Sequence, residues 1–197
     1  GGLAAGAALG WPFTTVMLLY VAATTAYSIH LKRRVLVDIA LLAGLYTIRL
    51  LAGGAATGIP LSVWLLAFSI FLFFSLAAVK RQAELVDSSR SGKLGASGRG
   101  YRVEDLPILS MMAVAAGYVS VLVLALYINS PAVARLYASP PALWGICGLL
   151  LYWVSRMVLV THRGEMHDDP IVYAARDPVS RACFVLILAF VLGGALL

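Results

Sequence analysis

Charge is scarce in this sequence: Asp, Glu, Lys and Arg make up 12% of its 197 residues, against 61% hydrophobic residues. With a mean hydropathy of +0.92, the chain has too little polar surface to cover a soluble globule, so its solvent is lipid. Cysteine is scarcer still. Cys147 and Cys183 each sit inside an apolar run, which excludes a disulfide framework and a cysteine metal cluster and leaves them as small packing residues. Polar interruptions are also missing over long stretches. Crossing the hydrocarbon layer takes roughly 20 apolar residues, and runs of that order recur at 13–29, 35–56, 61–79, 106–128, 142–160 and 179–197. A shorter apolar remnant at 1–9 ends at Gly10, Trp11 and Pro12, where proline and an interfacial tryptophan mark a turn. The expected fold class is an all-α membrane protein with six full helices and a partial one. The chain opens on Gly-Gly inside an apolar run with no charged flank, unlike a signal peptide or a first membrane helix. It therefore reads as the C-terminal part of a single transmembrane domain whose upstream helices are missing.

The net charge of +6 does not point to nucleic acid, because the basic residues alternate between the ends of successive helices. Lys32, Arg33 and Arg34 follow the first full run. Lys80, Arg81, Arg90, Lys93, Arg99 and Arg102 fill the polar loop at 80–105, and Arg156, Arg163, Arg176 and Arg181 surround the polar loop at 161–178. The opposite connections, 53–60 and 129–141, hold only Arg135. This positive-inside pattern places the charged loops in the cytoplasm of a bacterial inner membrane protein. Every acidic residue lies on that side as well: Asp38, Glu84, Asp87, Glu104, Asp105, Glu165, Asp168, Asp169 and Asp177. Either the outer loops are too short for charge, or a polar site for a charged substrate and its metal faces the cytoplasm.

Three groups of residues can carry chemistry. Arg49 lies eleven positions after Asp38, about 16 Å farther along the helix axis and close to three full turns on, so the two share a face. A guanidinium at that depth either turns to a polar interior and pairs with an anion or snorkels to the outer interface near Gly53 and Gly54. Lys80 and Glu84 are four apart and hence on one helix face. An ammonium beside a carboxylate can neutralise a diphosphate leaving group while the carboxylate holds Mg²⁺, although an interfacial ion pair has the same spacing. The last loop gathers His162, Glu165, His167, Asp168 and Asp169. No His or Cys pair has the spacing of a zinc site, oxygen ligands suit Mg²⁺ better, and Asp168 reads equally as the cap of a short amphipathic stretch at 171–176. Residues 88–100, rich in Ser, Gly and basic side chains, read as a mobile linker or a lid. They do not form a P-loop, since the Gly-Lys-Ser/Thr ending is absent.

The runs Tyr27-Ser28-Ile29-His30-Leu31-Lys32, Asp38, Tyr46-Thr47-Ile48-Arg49-Leu50-Leu51-Ala52-Gly53-Gly54, Pro60-Leu61-Ser62-Val63-Trp64 and Lys80-Arg81-Gln82-Ala83-Glu84-Leu85 resemble the UbiA superfamily of intramembrane prenyltransferases. The likeness is greatest to its decaprenyl-phosphate phosphoribosyltransferase-like branch, some members of which carry a soluble dehalogenase-like domain upstream. The resemblance implies a nine-helix bundle, a cytoplasm-facing cavity, Mg²⁺ as cofactor and a lipid-side opening for a polyprenyl chain. On that map the chain begins at the third helix and lacks the first aspartate-rich motif. Lys80, Glu84 and Arg49 then correspond to catalytic residues, Tyr27, Lys32, Asp38, Arg81 and Arg163 to substrate-binding ones, and Glu84 and Asp87 to metal ligands. Where the wider superfamily has a second set of spaced aspartates, only Glu84 and Asp87 occur here, a departure that favours the phosphoribosyl branch. The implied reaction joins polyprenyl phosphate to a phosphoribosyl group with release of pyrophosphate. The alternatives are alkylation of an aromatic acceptor by a prenyl diphosphate and, without any enzyme chemistry, a membrane transporter. The enzyme reading predicts that Lys32, Arg49, Lys80 and Glu84 converge on one cavity.

Overall fold

A computed structural model describes residues 10–95, 99–166 and 169–196 of the chain. The apolar runs form helices α1 (Trp11–Ile29), α2 (Val37–Thr57), α3 (Val63–Arg90) and α4 (Leu106–Ile128). The short helix α5 (Pro131–Leu136), α6 (Trp144–His162), the short α7 (Pro170–Arg176) and α8 (Pro178–Leu196) follow. Six of these are long and apolar enough to cross a membrane. The partial helix expected at 1–9 lies outside the described residues.

Local chemistry fixes the helix ends. Proline occupies the first turn of α1, α4, α5 and α7, where its missing N–H costs nothing. The Ser62 hydroxyl accepts from the Trp64 amide to cap α3, and Gly58 closes α2 in the left-handed conformation that favours glycine (φ 70°). One boundary departs from expectation. Residues 80–90, grouped above with a polar loop, continue α3 as nearly three further turns, because Lys, Arg, Gln and Glu are good helix formers once the apolar stripe has begun the helix.

The central element is α3, which packs against α4, α2 and α6. Lipid offers no hydrophobic drive between helices, so their contact rests on close packing and buried polar bonds. The Ser75 hydroxyl donates to the Ala113 carbonyl at 2.7 Å. At Gly117 a Cβ would stand 2.3 Å from Val154 Cγ1 and 3.0 Å from Ser75 Oγ, so α4 approaches both neighbours closely only because that position lacks a side chain. The fully buried Gln82 amide donates to the Val158 carbonyl at 3.3 Å, joining α3 to α6. Trp153 Nε1 donates to Ser180 Oγ at 3.0 Å, joining α6 to α8. Cys147 and Cys183 are buried and free, as packing residues would be. By contrast α1 rests mainly on α2 and buries none of its residues.

Candidate functional site at the charged end of the bundle

Helix α3 has 28 residues, about 42 Å at 1.5 Å per residue, against a hydrocarbon layer of about 30 Å. Its polar last turns overhang the apolar stretch, and they meet the start of α2. Arg81, only 1% exposed, places Nε 3.0 Å from Oδ2 of the fully buried Asp38. The contact is an ion pair rather than a hydrogen bond, since that N–H finds no acceptor at a suitable angle. The same guanidinium reaches Glu84 one turn on through Nη1. Arg99, from the loop after α3, adds Nη1 at 3.4 Å from Asp38 Oδ2 and Nε at 3.1 Å from Glu84, and donates to the Tyr27 hydroxyl at 3.4 Å. Burial disfavours its charged form, but Tyr27, Glu84 and Asp38 together raise its pKa above the ordinary arginine value. Two carboxylates and two guanidiniums thus close a neutral cluster.

A tyrosine completes it. The Tyr101 hydroxyl donates to Asp38 Oδ1 at 2.5 Å and accepts from the Leu36 amide at 2.8 Å. Burial and the Asp38 carboxylate push this hydroxyl well above the usual tyrosine pKa, so it stays protonated and remains a donor. Leu36 has φ 66°, alone among the described non-glycine residues in having positive φ. With ψ −38° and a Val37 N–H to Val35 carbonyl bond of 2.8 Å, it centres a γ-turn of the rare hand.

Lys80 and Glu84 share a helix face but do not pair. Lys80 Nζ lies 2.5 Å from Asp169 Oδ2, while Glu84 is taken by the two guanidiniums. Asp169 also caps α7, accepting from the Ile171 amide at 3.0 Å; Asp168, the cap expected from sequence, lies outside the described residues, as does His167. The pair borders a niche of about 10 Å³ lined by Leu42, Tyr46, Phe73, Ala77 and Pro170, room for about one water. Arg49 is elsewhere. Its Nε and Nη2 donate to the Tyr20 hydroxyl at 3.1 and 2.7 Å, and its guanidinium stacks on Tyr20 and Tyr46 at 5.5 and 4.9 Å from the ring centroids. It lines a separate cleft of about 310 Å³ with Phe13, Met17, Ile48 and Ala52. Lys32 is half-buried in a single turn of 3₁₀ helix, Leu31–Arg33, and no described carboxylate pairs with it. Asp87 and Arg163 are exposed; Arg163 contributes its carbonyl, which accepts from Arg90.

The structure therefore brings together Tyr27, Asp38, Arg81 and Glu84, sets Lys80 one helical position away, and keeps Arg49 apart. Sequence reasoning missed Tyr101 and the role of Arg99. A single aromatic following Gly100 in a loop otherwise Ser-, Gly- and Arg-rich was the available signal. The linker reading of 88–100 also needs revision, since 88–90 are helical and Arg99 is drawn onto Asp38 and Glu84. Among the described residues no three His, Cys, Asp or Glu side chains gather as a metal site. Glu84 and Asp87 supply two carboxylates, one already bonded to two arginines, so these residues alone do not complete a Mg²⁺ shell.

Sequence comparison bears on this site. No family model matches the chain. It is 38% identical over 166 residues to the nodulation protein NoeC of Azorhizobium caulinodans, spanning 84% of this chain and 54% of that protein. It is 36% identical over 169 residues to the uncharacterized protein y4nM of Sinorhizobium fredii, spanning 85% of this chain and 33% of the relative. A decaprenyl-phosphate phosphoribosyltransferase of Mycobacterium tuberculosis is 43% identical over 77 residues, 39% of this chain and 26% of the enzyme. The chain is a partial homologue of all three. It spans about half the length of NoeC and about a third of y4nM.

Proposed function

We propose that the chain is part of a multi-pass membrane transferase of the UbiA type that handles a diphosphate at the cytoplasmic end of its helices. Its reaction in this reading is transfer of a phosphoribosyl group from phosphoribosyl pyrophosphate to a polyprenyl phosphate. The observation that carries the reading is the charge-balanced cluster of Asp38, Arg81, Glu84 and Arg99, buried at Asp38 and Arg81, at the end of the bundle; Lys32, which pairs with no described carboxylate, lies in the turn that leads into the helix of Asp38. Such a cluster is costly to build in an apolar bundle and marks function more often than stability. The kinship is the 43% identity to a phosphoribosyltransferase over 77 residues.

In this reading Lys32 and Lys80 receive the donor's phosphates, Lys80 exchanging Asp169 for phosphate oxygen. Buried Arg81 holds Asp38 and Glu84 rather than touching substrate. An oxygen of the lipid phosphate attacks the anomeric carbon of the donor; the bond from that carbon to pyrophosphate breaks, and pyrophosphate leaves with the electron pair. Cations fixed in place before the reaction favour that developing charge without reorganising.

Membranes containing the full-length protein are incubated with radiolabelled phosphoribosyl pyrophosphate and polyprenyl phosphate, with and without Mg²⁺. A labelled lipid that disappears in the Lys32→Gln and Lys80→Met variants is the expected result. No labelled lipid, together with turnover of a prenyl diphosphate and an aromatic acceptor, would replace this reading with ring alkylation.

A further inference from the structure

The segment after α3 does more than connect helices. Three consecutive residues press on the turn between α1 and α2. Arg99 bonds Tyr27 and Asp38, on either side of that turn. Gly100 lies so close that a Cβ there would stand 2.9 Å from Val35 Cγ2 and 3.0 Å from the Arg33 carbonyl oxygen. Tyr101, 3% exposed, joins the Leu36 amide to Asp38 through one hydroxyl. The turn so held carries Lys32, Arg33 and Arg34, and it contains the strained Leu36. Strain of that kind persists only where its surroundings over-determine the backbone. No side chain caps α2 at Leu36; besides the backbone bond from the Asp38 amide to the Arg34 carbonyl at 3.1 Å, the Tyr101 hydroxyl is a side-chain anchor of the turn to the helix.

We infer that Tyr101 is a positioning residue for the anion site: it fixes the γ-turn at Leu36 and thereby holds Lys32 where it can receive the phosphates of a diphosphate ligand. The inference rests on the transferase reading for the ligand's chemistry. The anchoring itself stands on the contacts alone. Tyr101 touches no substrate in this scheme and acts through the backbone of 33–37. Because the Asp38, Arg81, Glu84 and Arg99 cluster is already balanced, an anion is met by the cations of the turn together with Lys80, and the placement of the turn bears directly on its binding.

The test uses the full-length protein in nanodiscs, with inorganic pyrophosphate as probe by calorimetry and hydrogen exchange at the amides of 36–39. Tyr101→Phe, which removes one oxygen, is expected to weaken pyrophosphate binding at least tenfold and to speed exchange at Leu36 at least tenfold. Lys32→Gln is expected to weaken binding equally while leaving exchange as in the wild type, which separates a contact residue from a positioning one. If Tyr101→Phe does not fold, Gly100→Ala, which pushes the segment off Val35 and Arg33, is read in the same way. Unchanged exchange, or faster exchange with wild-type pyrophosphate affinity, overturns the inference while the transferase reading stands. A wild-type protein that binds no pyrophosphate overturns both.

Discussion

Asp38→Asn removes one charge from the closed inner half of the cluster, whose outer members Glu84 and Arg99 are partly exposed. Asp38 is 0% and Arg81 1% exposed, and breaking a buried pair by deleting one partner costs about 3–5 kcal/mol. Two features place this variant at the lower end of that range. Arg81 keeps Glu84, and the asparagine oxygen can still accept from Tyr101. A loss of about 3 kcal/mol lowers the ratio of folded to unfolded protein roughly 100-fold. At about 2–4 °C per kcal/mol for a chain of this size, the melting temperature falls by roughly 6–12 °C. Tryptophan fluorescence during heating of the reconstituted protein measures it, with Asp87→Asn as the comparator. Asp87 is exposed on α3, the helix of Arg81, and surface changes stay within about 0.5 kcal/mol. A double variant, Asp38→Asn with Arg81→Met, is expected to melt above the single one, because it removes the surplus cation and leaves Glu84 paired with Arg99. Equal melting of Asp38→Asn and Asp87→Asn would refute the claim that the cluster is a buried ionic network.

Other outcomes follow from particular contacts. Asp169→Asn keeps a good N-cap but releases Lys80 from its carboxylate, so KM for a diphosphate donor is expected to fall severalfold in the labelled-lipid assay. Gly117→Ala sets a methyl against Val154, whose branched side chain has little rotamer freedom, and is expected to cost about 1–3 kcal/mol in the same melting assay. Asp177 is held below the usual carboxylate range: burial acts to raise its pKa, but bonds from Arg156 and Ser180 outweigh it. A depressed pKa gives stability that is full above the ordinary value of 3.8 and is lost as pH falls through the lower folded value. Melting of the wild type should therefore drop on acidification below about pH 4, and the drop should be shallower in Asp177→Asn.

The helices were legible because spanning lipid allows only helices or closed barrels, and apolar runs of about 20 residues have the length of a helix rather than of a barrel strand. Runs 13–29 and 106–128 match α1 and α4 to within two residues at every end. The overhang of α3 was harder to see, since a polar stretch reads as loop when only hydropathy is followed. Within the site, Asp38, Arg81 and Glu84 could be named from sequence, but their partners could not. Helix spacing offered Glu84 to Lys80, yet the side chain that reaches Lys80 comes from Asp169, 89 positions later, and a local rule cannot weigh a partner brought by tertiary folding. Tyr101 offered only its isolation in a polar loop, for a related reason. Nothing periodic governs the loop, and a hydroxyl bridging an amide and a carboxylate leaves no pattern in sequence. Arg49 shows the converse. Its spacing predicted a face shared with Asp38, but Asp38 is buried whereas Arg49 is exposed and held by Tyr20 and Tyr46, so it joins neither Lys80 nor Glu84.

The length of α3 also makes bilayer thickness a variable of the site. Residues 63–79 are apolar and span about 26 Å, so Lys80 and Arg81 stand near the edge of a hydrocarbon layer about 30 Å thick. A layer a few ångströms thicker draws these two cations inward by about the rise of two residues, unless the helix tilts less. Because Lys80 is tied to the cap of α7 and Arg81 to the start of α2, such a shift pulls on all three helices together. Lipid composition thus acts on this end of the bundle as a mechanical load, carried by one rigid rod to the residues that gather charge.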